Sequence, residues 1–332
     1  MEKEFFYKVI DDFKNRNICV IGDIMLDKYI SGNVNRISPE APVPVVEVSN
    51  EYVTLGGAAN VVNNLRALGA NALLFSVIGK DNSGKRIKEL LKEINVKSNF
   101  LITDTLRKTT CKIRIVSGNH QIVRVDYEIA EPISNKIADE LINNFKDNID
   151  KFDAVIISDY NKGVITPYLL SNIIKLCRDN GIFIAVDPKQ NNMGVYSGAN
   201  VITPNQKEAG LPFGKNLLYW DDLVFVIKEI KNRYKFDAVL ITRGEHGMML
   251  YDDKNELYEI PSVAREVYDV SGAGDTVIST FVLGMASSCS FYEAAILANL
   301  AAGIVVGKSG TATITPFELL ESLERIGDFN EF

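Results

Sequence analysis

The sequence predicts an α/β fold in which a mostly parallel central sheet carries helices on both faces. Three observations lead there. Short apolar runs rich in β-branched residues recur along the chain, as in strands buried on both faces. Stretches of helical periodicity separate them, and that alternation builds a parallel sheet through crossover helices. Two further segments break the rhythm and predict a small β element projecting from the sheet.

Residues 18–22 read as the first strand. Residues 28–55 follow with three prolines, alternating valines and no helical pattern. A second strand at 72–78 precedes an amphipathic helix at 83–94. Residues 107–128 alternate from Lys112, turn at Ser117, Gly118 and Asn119, and alternate again from Gln121, which is a hairpin signal. Then come a helix at 134–149, a strand at 154–157, a helix at 167–178 and strands at 182–186 and 238–242. The segments at about 28–55 and 107–128 are expected to form a lid or a dimer contact on one domain spanning residues 1–332.

Composition narrows the function classes. Hydrophobic content of 46% and charged content of 24% suit a globular chain. At 332 residues it buries roughly 75% of its unfolded surface and needs no disulfides. Cys19, Cys111, Cys177 and Cys289 form no CxxC pair, and three sit in apolar runs, which points to a reducing, cytoplasmic setting. The charged start lacks a signal-peptide core. The apolar helix at 294–306 is interrupted by Asn299 and too short to span a bilayer, so no membrane role is expected. A net charge of −7 argues against nucleic acid, yet a local basic cleft can still bind an anionic substrate. His120 and His246 are too few for a His-rich metal site.

Residues 269–275 read Asp-Val-Ser-Gly-Ala-Gly-Asp and run into an apolar helix. The glycines allow a tight turn, and the amides that open the helix lack intrahelical partners and favour an anion. Asp275 would stand beside that cradle, where a carboxylate can take a proton from a hydroxyl. The same spacing also fits an aspartate that only caps the helix. Two other motifs are near misses. Residues 79–85 match a P-loop up to Arg86, which replaces the required hydroxyl. Gly307, Lys308 and Ser309 have its ending, but Ala302 stands where the first glycine belongs. Gly272 and Gly274 lack the third glycine of a dinucleotide fingerprint, which excludes a nicotinamide-dependent dehydrogenase.

Taken together, these stretches resemble the ribokinase, or PfkB, family of sugar kinases. The resemblance rests on Gly56, Gly57 and Asn60 at a helix start, and on Thr203, Pro204 and Asn205 with Glu208. Thr242, Arg243 and Gly244 with Gly247 continue it, and residues 269–275 complete it. Stretches around Asp23 and Asp27, Arg36 to Val45, Asp159 to Gly163 and Asp187 to Lys189, with residues 299–310, are similar to the heptose-7-phosphate kinase branch. That branch is often fused to a nucleotidyltransferase. No HxGH-type motif occurs in this chain, so the kinase step alone is expected.

The resemblance implies a ribokinase-like fold and an ATP-dependent kinase. The substrate it implies is D-glycero-β-D-manno-heptose 7-phosphate, phosphorylated on its anomeric hydroxyl in ADP-heptose biosynthesis. Another sugar or nucleoside kinase, or a non-catalytic sensor, are the competing expectations. Asp275 would be the base, with Gly272, Ala273 and Gly274 cradling charge. Asn205 and Glu208 would organise Mg²⁺, partly through water. Lys189 would meet phosphate, Thr242, Arg243, Gly244 and Gly247 the nucleotide loop, and Asn299 and Gly303 the adenine side. Asp23, Gly56, Gly57 and Asn60 would bind the sugar. Arg36, Arg124 and Lys162 compete for its phosphate, since a phosphorylated sugar needs a cation. Asp269 and Ser271 would border a K⁺ site. An exposed lid strand makes a homodimer through the lid the expected assembly.

Overall fold

The computed structural model describes residues 3–118, 120–189, 192–264, 266–308 and 310–325. After helix α1 (Lys3–Asp12) come strands β1 (Asn17–Gly22), β2 (Ile24–Ile37) and β3 (Pro44–Gly57). Helix α2 (Ala58–Ala67), β4 (Asn71–Gly79), α3 (Asn82–Glu93) and β5 (Leu101–Asp104) follow, then β6 (Thr110–Ser117) and β7 (His120–Tyr127). The middle of the chain holds α4 (Asn135–Lys146), β8 (Ala154–Ser158), α5 (Pro167–Asp179), β9 (Phe183–Asp187) and β10 (Val201–Ile202). Next are α6 (Gln206–Gly210), α7 (Trp220–Tyr234), β11 (Ala238–Thr242), β12 (Met248–Tyr251) and β13 (Leu257–Ile260). Helices α8 (Ala273–Ala286), α9 (Phe291–Val305) and α10 (Pro316–Arg325) close the fold.

The larger sheet has the order β13-β12-β11-β10-β9-β8-β1-β4-β5. From β11 to β5 every pairing is parallel, while β12 and β13 are antiparallel. Successive side chains of β1 face opposite ways, as the period of a strand requires. Ile18 and Val20 join the apolar layer of α2, α8 and α9, and Cys19 and Ile21 that of α4, α5 and α7. Strand order reverses at β1, flanked by β4 and β8, and ligand crevices open at the carboxyl ends of strands around such a point. Among the described residues no helix is long and apolar enough to cross a membrane.

The expected strands appear within one or two residues of their predicted bounds. Helix α4 stops at Lys146 and gives way to a 3-10 turn at Ile149–Lys151, earlier than the predicted 149. Asn148 donates from its side chain to the Asn144 carbonyl there (2.7 Å), one of the local bonds by which asparagine competes with helix. The P-loop near miss is a capped helix start, with Asp81 accepting the Gly84 amide (2.8 Å).

The two irregular segments meet in a second sheet of order β3-β2-β6-β7. Asn119 of the predicted turn lies outside the described residues. This sheet is amphipathic. Leu26, Leu55, Cys111, Ile113 and Val53 pack on the core. The opposite face carries Asp27, Tyr29, Lys112, Arg114, Arg124 and Asp126, set side by side by the registers Asp27–Lys112–Asp126 and Tyr29–Arg114–Arg124.

Candidate active site

Asp275 lies in the first turn of α8, only 4% exposed. The turn into the helix is made by Gly272 at φ +81°, where a side chain would be strained and would meet the Asn60 amide at 2.9 Å. Asp275 does not cap that helix, which has no side-chain cap. Its Oδ2 accepts from Asn60 Nδ2 (2.7 Å) and its Oδ1 from the Tyr160 hydroxyl (2.8 Å). Burial pushes its pKa up to about 6, the Asn60 and Tyr160 donors pull it back, and the Asp27 charge adds to the rise. A carboxylate so placed is poised to exchange a proton near neutral pH. The cradle is smaller than expected, because the Ala273 amide already bonds the Val270 carbonyl (3.3 Å). Gly274 and Asp275 precede the first helical bond, from Thr276 to Gly272 (3.0 Å), and their amides open the helix end.

Asn60 was expected at the sugar, yet its amide nitrogen is committed to Asp275, while its buried Oδ1 has no partner among the described residues. Asp23 departs further from expectation. It is 1% exposed and accepts the backbone amides of Tyr160 (2.9 Å), Lys162 (3.0 Å) and Val164 (3.0 Å). Its carboxylate is spent on folding the loop after β8, in which Asn161 (φ +55°) and Gly163 (φ +87°) make the turns. Asp23 therefore holds the loop that carries Tyr160.

At the ends of β9 and β10, Lys189 Nζ bonds Glu208 Oε1 (2.7 Å). Asn205 and Glu208 form a reciprocal capping box at α6, with Glu208 Oε2 accepting the Asn205 amide (3.0 Å) and Asn205 Oδ1 the Glu208 amide (2.9 Å). The motif spacing thus has a structural use as well. Asp187 sits between these groups, its pKa driven well up by burial and by the charges of Asp275 and Glu208. Asp159 accepts from Tyr196 (2.7 Å). Asp159, Asp187, Lys189, Asn205 and Glu208, with Tyr160, Gly272 and Gly274, line a cleft of about 330 Å³.

A second cleft of about 590 Å³ adjoins it through Thr242, Val270, Gly274 and Val277. Arg243, Gly244, Gly247, Asn299 and Gly303 also line it, so the expected nucleotide-side residues do come together. Two of them use their polar groups internally. The Arg243 guanidinium pairs with Glu259 (2.6 Å), and Asn299 Nδ2 donates to the Pro261 carbonyl (2.7 Å). A Cβ at Gly303 would press Val263 at 2.7 Å, so this glycine lets the loop lie against α9. Asp269 accepts the amides of Ser271 (2.9 Å) and Gly310 (3.1 Å), tying two loops together, while Ser271 is exposed.

At the end of β3, Gly57 has φ +58°, and a Cβ at Gly56 would collide with Asp27 Oδ2. The glycine pair therefore makes room for a carboxylate the sequence reading did not single out. Asp27 is 5% exposed and ion-paired with Arg114, which lies over the Tyr29 ring. The three cations expected at a substrate phosphate fare differently. Arg36 is nine residues beyond Asp27 on β2, ~30 Å along a strand, and reaches only Glu47 (3.9 Å). Within this chain it does not meet the cleft. Arg124 pairs with Asp126 (2.9 Å) and Lys162 with Glu128 (2.8 Å). Lys112, half-buried beside them, has no ion pair or hydrogen bond among the described residues, and burial lowers its pKa.

Asp27, Lys112, Arg114, Tyr160 and Asp187 were given no role from the sequence, and the structure groups them around Asp275 and Asp27. The strand alternation that places Lys112 and Arg114 on one face was visible, but that this face carries Asp27 was not.

The profile of the pfkB family of carbohydrate kinases matches residues 15–318. The bifunctional protein HldE of Citrifermentans bemidjiense is 44% identical over 301 residues, 91% of this chain and 62% of that protein. The chain thus spans less than two thirds of that relative's length. Among solved structures, ribokinase of Arabidopsis thaliana complexed with ribose and ATP superposes with a TM-score of 0.75 at 17% identity, covering 93% of this chain and 99% of that one. Phosphofructokinase-2 of Escherichia coli in complex with potassium gives a TM-score of 0.75 at 18% identity over 93% and 99%. These two likenesses establish the ribokinase-like fold.

Proposed function

Because the chain belongs to the pfkB family of carbohydrate kinases, we propose that it phosphorylates a heptose 7-phosphate. The γ-phosphoryl group of ATP goes to the anomeric hydroxyl of D-glycero-β-D-manno-heptose 7-phosphate, giving the 1,7-bisphosphate of ADP-heptose biosynthesis. The observation that carries this is one polar frame in which Asp27 interacts with both the buried base Asp275 and the unpaired Lys112. A carboxylate that titrates near neutrality suits deprotonation of a sugar hydroxyl. An unpaired cation on the same side suits an acceptor that already bears a phosphate.

In the step itself, Asp275 takes the proton from the hydroxyl, whose oxygen forms the new bond to the γ-phosphorus. The bond to the bridging oxygen breaks, ADP leaves, and Asp275 returns its proton to water. The amides of Gly272 and Gly274 would face the equatorial charge as it develops, so catalysis would be mainly positioning and electrostatics. Lys189 would hold a phosphate of the nucleotide, and the cleft lined by Thr242, Gly244 and Gly247 its base and ribose.

Mg²⁺ fits the donor set. Glu208 and Asn205 are hard oxygen ligands, and a divalent cation beside them would offset the like charges that raise Asp187. Mg²⁺ would neutralise phosphate charge on the bound nucleotide. A monovalent cation near Asp269 and Ser271 is part of the proposal, and replacing sodium with potassium in the assay should raise turnover. ATP as donor sets the reaction in the cytoplasm. The second sheet would act as the lid over the acceptor and as the seam of a homodimer.

ATP consumption over a panel of sugars and sugar phosphates tests the substrate. Turnover should require the 7-phosphate, and efficient turnover of ribose, fructose or a nucleoside would overturn the specificity. Lys112→Ala should raise KM for the sugar phosphate about tenfold or more, with kcat changed less. An unchanged KM would remove Lys112 from the acceptor site.

A further inference from the structure

We infer that Tyr160 is a positioning residue for Asp275, fixing the rotamer and the basicity of the carboxylate through its phenol. The inference rests on Asp275 being the base. Both oxygens of that carboxylate receive a donor, from opposite parts of the fold. Asn60 comes from α2 and Tyr160 from the loop after β8. Two short bonds to separate oxygens leave the carboxylate plane no freedom to turn. Each oxygen keeps one lone-pair direction for a substrate hydroxyl.

The tyrosine is itself held from behind. Its backbone amide donates to Asp23, as do those of Lys162 and Val164. Asp23 follows β1 directly, so the sheet fixes the loop, the loop fixes the phenol, and the phenol fixes the base. Aspartate or asparagine at position 160 could hold the turn through the same amide, but neither could reach with an aromatic hydroxyl. The phenol cannot compete for the proton, because burial and the charges of Asp275 and Asp187 hold its pKa well above the ordinary value. It remains a donor at every pH where the enzyme works.

The charged and titratable groups that face Asp275 are Asp27 from β2, Asp187 from β9 and the Tyr160 phenol. Burial and the Asp27 charge raise its proton affinity, and the Asn60 and Tyr160 donors lower it. Removing the phenol while keeping the ring, Tyr160→Phe, therefore shifts the acid limb of kcat upward.

The test measures kcat and KM against pH for wild type, Tyr160→Phe and Asp275→Asn with ATP and the sugar phosphate. For Tyr160→Phe, kcat should fall about tenfold with KM nearly constant, and the acid limb should rise by about half a pH unit or more. An acid limb and kcat that both stay in place overturn the inference, provided Asp275→Asn is inactive. Retained turnover in Asp275→Asn instead overturns the base assignment beneath it. If Tyr160→Phe does not fold, 3-fluorotyrosine at position 160 keeps the ring and makes a stronger donor. The acid limb should then move downward, and an unmoved limb overturns the inference.

Discussion

Asp275 is a charge kept where the fold penalises charge, and that has a consequence for stability. Its folded pKa is raised to about 6 from an ordinary 3.8. Between those values the folded state holds a proton that the unfolded chain has released, so the stability it contributes falls as pH rises through that window. Above pH 6 the full cost remains, up to ~3 kcal/mol for a shift of about two units. Asp275→Asn has no charge to bury, and its amide can donate to the Tyr160 oxygen and accept from Asn60. We expect this variant to lose turnover by at least a hundredfold, yet to melt higher than wild type at pH 8. The gap should close at pH 4, as differential scanning calorimetry at both values would show. A variant less stable than wild type at pH 8 would contradict the linkage. Single residues also mark how far the sequence could be read. Asp275 was legible because its glycines and helix start are local in the chain. Asp23 and Asp27 were not separable, since both follow β1 within five positions and only the tertiary turn of the 159–164 loop takes one of them away. Lys112 was invisible for a related reason, because its importance lies in a partner it lacks.

At the scale of elements, the base depends on how α2 and α8 meet. Their contact is polar and buried directly behind Asp275. The Thr276 hydroxyl donates to Asn64 Oδ1 (2.9 Å), Asn64 Nδ2 donates to the Asn60 carbonyl (2.9 Å), and the Ser279 hydroxyl bonds the Val61 carbonyl (3.2 Å). The Thr276 and Ser279 bonds fix the axial register of two helices whose apolar contacts would tolerate sliding, and the bond within α2 holds the Asn64 side chain in place. Thr276→Val keeps the shape but strands Asn64 Oδ1, at a cost of about 1–3 kcal/mol. Its melting temperature should fall by a few degrees, and kcat should fall because Asn60 follows its helix. A variant with lowered stability but intact kcat would show that the register does not reach the base. Elements such as β1, β8 and α5 were legible, the strands from their apolar runs and the helix from its periodic buried face. The pair β12–β13 and the two-residue β10 were missed, being too short for a period to register. The Asn205–Glu208 spacing was legible for a mixed reason, since it also specifies a capping box, a purely local structure.

At the scale of the whole molecule, the second sheet presents an apolar surface that the described residues do not cover. On the core side of the second sheet, Leu26, Leu55 and Ile113 pack against the main body near its root. Farther out the same face continues through Ile30 and Ile115 to Val123, which stands opposite Ile115, and Val125, opposite Ile113. There Val123 is 46% and Val125 39% exposed, and all eight residues of β7 are open to solvent. A long edge strand with an apolar face is a template for another strand, and proteins cover or charge such edges. β7 carries charge on the cleft face, at Arg124 and Asp126, but none at Val123 or Val125 on the other. A second copy of the sheet would cover that face and, by closing the edge, stiffen the strands that carry Lys112 and Arg114, the side proposed for the acceptor. Replacing Val123 and Val125 together by lysine should therefore convert a dimer to a monomer in sedimentation equilibrium. It should also raise KM for the sugar phosphate while leaving KM for ATP unchanged, because the cleft proposed for the nucleotide has no lining residue from the second sheet. Wild type sedimenting as a monomer at micromolar concentration would overturn the assembly. A monomeric double variant with both KM values unchanged would separate assembly from the acceptor site.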